Sequence, residues 1–187
     1  MLQQNIDYFP VNKKQGDIGE AIAARWFENE GWELAPYELK ADKQNHIDRI
    51  AQHLFFGTCV YDVKHDYFVN SSGNIPFEDK KNKGKNAKEP WGTDENVKAD
   101  YIIYTDGIQE DMEHPQIWIF RLRDLRAYYH KHPEGKRNTR GNCRLFPFEE
   151  YANEFGYWHV DNNWNETFIG VGKAWYIGQE NTLENAS

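Results

Sequence analysis

The stretch from His46 to Asp66 decides the fold. It reads His46-Ile-Asp-Arg-Ile-Ala51, then a turn-like break through Phe56-Gly57, then Thr58-Cys-Val-Tyr-Asp-Val-Lys-His-Asp66. Two apolar runs joined by a turn signal predict two adjacent strands of a hairpin. Because side chains alternate between the faces of a strand, Asp62 and Lys64 point the same way. Asp48 lies fourteen residues before Asp62, so the hairpin brings Asp48 beside this pair.

Two carboxylates and one ammonium then cluster at the end of a largely apolar sheet. Charges in such a place are unfavourable unless they are paired or bound to a metal. Two carboxylates can hold a hard cation such as Mg²⁺, which polarises a phosphoryl oxygen and lowers the pKa of a bound water. The lysine can orient or deprotonate that water, or neutralise developing charge. The alternative is a surface hairpin with an ion pair between Asp62 and Lys64 that contributes little.

Asp48, a spacer and Asp62-Val63-Lys64, preceded by a helix that carries Glu20, resemble the PD-(D/E)XK nuclease superfamily, which has the restriction-endonuclease-like fold. Ile47 stands where that motif has its proline. The resemblance implies that Asp48 and Asp62 bind Mg²⁺ or Mn²⁺, that the Val63 carbonyl also faces the metal, and that Lys64 is the catalytic lysine. The segment from Trp91-Gly92 to Lys98-Ala-Asp-Tyr-Ile-Ile-Tyr104 is similar to one that forms the central strand in small nucleases of this superfamily.

Glu20 has two readings. Asp17-Ile-Gly-Glu20 matches a capping box and predicts a helix that begins at Asp17 and ends before Gly31. In one reading Glu20 only closes that box. In the other, which the resemblance implies, Glu20 is a catalytic residue and a further metal ligand. Both stay open here.

Composition limits the class of protein. The chain has 187 residues, 39% of them hydrophobic and 16% aromatic, which predicts a single globular domain over residues 1–187. Apolar runs are too short for a membrane span, and Met1 to Pro10 has no signal-peptide pattern. The two cysteines give neither a disulfide framework nor zinc spacing. We therefore expect a cytoplasmic protein with no membrane partner.

The charge distribution is compatible with a nucleic-acid partner, and the resemblance implies that this partner is DNA. The net charge is −8, yet residues 80–88 contain five lysines and no acid. Basic stretches in an acidic chain suit phosphate binding, but solvent-exposed loops with no binding role can have the same charge pattern. The predicted contacts are Lys80, Lys81, Lys83, Lys85, Lys88, Lys136, Arg137 and Arg140. The first five belong to a predicted long Lys-rich loop over residues 69–98, in which Trp91 stacks on bases or packs in the core.

The remaining patterns complete the predicted fold. They predict strands at 32–39, 99–106 and 116–122, short strands near 156–160, 167–171 and 174–177, helices at 123–132 and near 93–98 and 148–155, and a frayed tail from 179. The fold class is α/β (α+β mixed), with a central mixed sheet flanked by helices. The predicted function is a divalent-metal-dependent nuclease. The alternative is a non-catalytic module that keeps the fold and binds nucleic acid or protein. A homodimer is left open.

Overall fold

The structure is a computed structural model that describes residues 9–35, 47–66, 68–80, 89–106, 115–171 and 174–178. The described residues form four helices, α1 (Phe9–Asn29), α2 (Phe68–Ser72), α3 (Leu122–Lys131) and α4 (Phe148–Ala152). They also form ten strands, β1 (Glu33–Leu34), β2 (Arg49–His53), β3 (Gly57–His65), β4 (Asn74–Glu78), β5 (Tyr101–Asp106), β6 (Gln116–Arg121), β7 (Lys136–Arg137), β8 (Cys143–Pro147), β9 (Tyr157–Val160) and β10 (Glu166–Ile169). In these ranges no helix is both long enough and apolar enough to cross a membrane.

A seven-stranded sheet in the order β1-β2-β3-β5-β6-β9-β10 forms the centre of the molecule. Only β3 and β5 pair in parallel, and the other neighbours are antiparallel. A smaller antiparallel sheet has the order β4-β8-β7. The predicted α+β class and mixed central sheet are therefore confirmed, and β5 is the middle strand of the seven.

Side-chain alternation in β5 divides the core into two layers. Tyr101 and Ile103 face α1, where they pack with Ile22 and Phe27. Ile102 and Tyr104 face the other side, which α3 and the small sheet cover with the residues Leu125, Tyr128, Ile75, Phe77 and Phe146. Both faces of the central sheet are thus buried, which explains why β5 and β6 are almost continuously apolar.

The first helix is longer than predicted. It begins at Phe9, so Asp17 and Glu20 both lie within it and the capping-box reading is wrong. Lys13, Lys14 and Gln15 are good helix formers, and Pro10 is tolerated in a first turn, so the helix can begin two turns earlier. The predicted end is confirmed, because Gly31 follows the helix with a φ of 79°.

The predicted loop over residues 69–98 contains regular structure. It includes most of α2 and all of β4, in which Ile75 and Phe77 are fully buried. The strand was missed because of Pro76, but β4 is an edge strand, where proline is tolerated. Trp91 is 4% exposed, so its core reading is confirmed. Lys81, Lys83, Lys85 and Lys88 lie outside the described residues.

Several element boundaries also need correction. Residues 93–98 form turns rather than a helix, because the Asp94 carboxylate accepts a hydrogen bond from the Asn96 amide in a local turn. Residues 174–177 are not a strand. Side chains hold them instead, since Trp175 stacks on Tyr101 and its carbonyl accepts a hydrogen bond from the Trp158 indole. Of the predicted strand at 32–39, the described residues show only Glu33–Leu34 as a strand, β1. Residues 36–39 and the tail from 179 lie outside the ranges that the structure describes.

Candidate functional site

The hairpin of β2 and β3 positions the three charged residues. Its turn lies where predicted, with Gly57 at a φ of 82°. Asp48 immediately precedes β2, and its amide donates to the Tyr61 carbonyl at 3.0 Å. Asp62 and Lys64 are the register partners of Ile102 and Tyr104, so both side chains lie on the sheet face turned away from α1.

The structure brings Asp48, Asp62 and Lys64 into one cluster. Asp48 Oδ2 accepts a hydrogen bond of 2.6 Å from the Val63 amide, which holds the Asp48 carboxyl group close enough to Asp62 for the two to interact electrostatically. Lys64 Nζ lies 2.6 Å from Asp62 Oδ2. That oxygen is enclosed and receives no well-aligned hydrogen bond, so the lysine contact is an ion pair that leaves acceptor capacity unused.

Burial and mutual repulsion set the charge of the cluster. Burial raises the pKa of Asp48 to about 7, the nearby Asp62 charge adds to this rise, and Lys64 opposes it. For Lys64, burial favours the neutral amine, but Asp62 and Asp48 outweigh it and the pKa is raised. Near neutral pH, Lys64 is therefore an ammonium, and the Asp48 carboxyl group beside it is only partly ionised.

Residues outside the hairpin surround the lysine. The Trp91 ring centroid lies 5.7 Å from Lys64 Nζ, within range of a cation–π contact. The Glu78 carboxylate at the end of β4 also favours the charged lysine. Sequence reasoning missed both partners, because nothing in the local pattern indicates that β4 and residue 91 reach the face of β3.

Glu20 lies on α1, on the opposite side of the sheet from Lys64. Its charge acts on the Tyr61 hydroxyl, whose pKa is raised mainly by burial, with Asp48 and Glu20 adding to the effect. Among the described residues, no three His, Cys, Asp or Glu side chains are grouped closely enough to hold a metal. The structure therefore does not unite Glu20 with the Asp48–Asp62 pair, and its role as a ligand stays a prediction, as does that of the Val63 carbonyl.

The start of the first predicted basic stretch, at Lys80, lies beside the end of the segment that carries Lys136, Arg137 and Arg140. The amides of Asp79 and Lys80 both donate to the Asn142 carbonyl at 3.1 Å. Arg137 clamps Asp79 with two hydrogen bonds of 2.8 and 2.7 Å. Because its guanidinium already binds the Asp79 carboxylate and joins the two segments, the structure argues against the predicted phosphate contact of Arg137. Lys80, Lys136 and Arg140 are exposed.

Comparisons of the chain with protein-family models, curated proteins and solved structures give no match. The function is therefore argued from the chemistry of the site.

Proposed function

We propose that the protein is a divalent-metal-dependent nuclease of the PD-(D/E)XK type, with the restriction-endonuclease-like fold, that hydrolyses phosphodiester bonds in DNA. The observation that carries the proposal is the convergence of Asp48, Asp62 and Lys64 on one partly buried cluster. An ion pair that serves only stability needs one carboxylate for one lysine. The Asp48 carboxylate, which the Val63 amide holds beside that pair, adds electrostatic repulsion, whereas two adjacent carboxylates suit a divalent cation.

The residues of the cluster fit Mg²⁺ or Mn²⁺. They offer only carboxylate oxygens, which hard cations prefer, and Mg²⁺ commonly binds through one or two carboxylates while it keeps several waters. Asp62 Oδ2 has unused acceptor capacity, and a divalent cation would offset the repulsion by which the Asp62 charge raises the pKa of Asp48. When bound, the metal supplies Lewis-acid polarisation of the phosphate and activation of water.

The protein residues have separate roles in this proposal. Asp48 and Asp62 bind the metal, and the Val63 amide fixes the orientation of Asp48. Lys64 is held as a cation by Asp62 and by the Trp91 ring, so its role is to orient the attacking water and to neutralise negative charge on the phosphoryl oxygens. Lys80, Lys136 and Arg140 supply exposed positive charge for the nucleic-acid backbone.

Cleavage of supercoiled plasmid in Mg²⁺ and in Mn²⁺ tests the proposal. Asp62→Asn and Lys64→Met should each reduce the rate at least a hundredfold, whereas the matched controls Asp17→Asn and Lys98→Met change exposed residues and should leave it unchanged. A wild-type protein that binds DNA but does not cut it in either metal would favour the non-catalytic binding module. Equal cleavage by wild type and Asp62→Asn would refute the proposed site.

A further inference from the structure

An aromatic cleft lies on the opposite side of the sheet from Lys64. Its volume is about 200 Å³, and its walls are formed by α1, the turn between β2 and β3, β9, β10 and the segment after β10. The described residues that line it are Trp26, Glu30, Trp32, Phe56, Trp158, Glu166, Tyr176 and Ile177. None of them belongs to the cluster of Asp48, Asp62 and Lys64.

The aromatic walls are held in place by their own contacts. The Trp26 indole donates to Glu166 Oε1 at 2.8 Å, and the Trp158 indole donates to the Trp175 carbonyl at 2.8 Å. Phe56 stacks on Trp32 and on Tyr176, each with ring centroids 6.2 Å apart. The cleft is therefore lined by rings that are already oriented, so a ligand does not have to order them.

Two carboxylates give the cleft a negative charge. Glu30 lies at the end of α1 and Glu166 at the start of β10, and no basic side chain is present among the described residues of the lining. Burial raises the pKa of Glu166, and the charge of Glu30 raises it further. The described lining of the cleft thus places two acidic side chains close together beside aromatic rings and contributes no positive charge.

We propose that this cleft binds a small organic cation, such as the quaternary ammonium group of a choline-like ligand. The faces of Trp, Tyr and Phe rings attract alkylated cations, and the two carboxylates supply the balancing charge. A neutral apolar ligand would leave both negative charges without a counter-ion in the cleft, and a nucleotide would bring its phosphate against them. The cleft therefore favours a cation over either of these, independently of any nuclease activity.

Choline and its neutral isostere 3,3-dimethyl-1-butanol test this proposal at equal ionic strength, with the tryptophan indole N–H resonances followed by NMR. Choline should shift the signals of Trp26, Trp32 and Trp158 and should bind at least fivefold more tightly than the neutral alcohol. Glu166→Gln keeps an oxygen that accepts from Trp26 but removes the charge, so it should weaken choline binding at least fivefold. The exposed helix residue Glu28 gives the matched control Glu28→Gln, which should change the Kd less than twofold.

Equal affinity for the two ligands, or an unchanged choline Kd in Glu166→Gln, would overturn the proposal. So would choline-induced shifts confined to indoles outside the cleft. If Glu166→Gln lowers the melting temperature enough to affect binding, Glu30→Gln provides the same test at an exposed position. An unchanged choline Kd in that variant would likewise count against a cation site.

Discussion

Replacing Asp48 with asparagine should make the stability of the metal-free protein less dependent on pH. Burial and Asp62 raise the pKa of Asp48 from 3.8 to about 7, so the folded state holds this proton more tightly than the unfolded chain does. A group of this kind contributes its full stabilisation below the unfolded pKa and loses it as pH rises through the folded pKa. The loss therefore falls between about pH 4 and pH 8.

The size of the effect follows from the difference between the two pKa values. Each pH unit is equivalent to about 1.4 kcal/mol, so roughly three units give an upper value of about 4 kcal/mol, and relaxation around the carboxylate lowers this to about 2–4 kcal/mol. The asparagine side chain of the variant retains an oxygen that can accept from the Val63 amide and has no proton to lose. Between pH 4 and pH 8, the unfolding free energy of the wild type should therefore fall by this amount relative to the variant.

Urea unfolding in EDTA, followed by tryptophan fluorescence from pH 4 to pH 8, measures this difference. Asp17→Asn changes an exposed residue of α1 and should follow the wild type at every pH. Parallel curves for wild type and Asp48→Asn would refute the reasoning, because they would mean that neither burial nor the Asp62 charge raises the pKa of Asp48 in the folded protein.

Three further predictions concern the basic stretches and the core. Replacing the five lysines from Lys80 to Lys88 with glutamine should weaken the salt dependence of DNA binding measured in Ca²⁺. The slope of log K against log[salt] should become shallower by roughly 0.9 for each phosphate contact that is lost. An unchanged slope would mean that these lysines are exposed to solvent and do not contact DNA. Arg137→Gln should lower the melting temperature, because Arg137 donates two hydrogen bonds to the Asp79 carboxylate, but it should leave the slope unchanged. An unchanged melting temperature with a shallower slope would mean that Arg137 contacts phosphate instead. Trp91→Ala should cost about 3–5 kcal/mol of unfolding free energy in urea titrations, and a loss below about 1 kcal/mol would contradict its core position.

The parts of the fold that depend on residues close together in sequence could be predicted from the sequence. The alternation around Asp62 and the turn at Gly57 predicted the hairpin that the structure shows. The helix start predicted at Asp17 was wrong because the residue types of a capping box, here Asp17 and Glu20, also occur inside a helix when the preceding residues are helix formers. Strand β4 was not predicted because Pro76 argues against a strand unless the strand lies at the edge of a sheet, and the sequence does not show which strands lie at an edge.

The environment of Lys64 could not be predicted, because it depends on contacts between distant segments. Glu78 and Trp91 approach the lysine only after the small sheet packs on the central one. The approach of Asp48 to Asp62 needs the actual hairpin register, since a slip of one residue would move Asp62 to the face of α1. The sequence can therefore nominate the charged residues of a site, while packing decides which of them meet.

A crystal soaked in Mn²⁺ and measured for anomalous scattering tests the proposed metal site most directly. The account predicts an anomalous peak about 2.0–2.3 Å from carboxylate oxygens of both Asp48 and Asp62, with Lys64 still nearby. The peak should be absent from Asp62→Asn crystals. A wild-type crystal with no peak beside the two carboxyl groups at saturating Mn²⁺ would contradict the account.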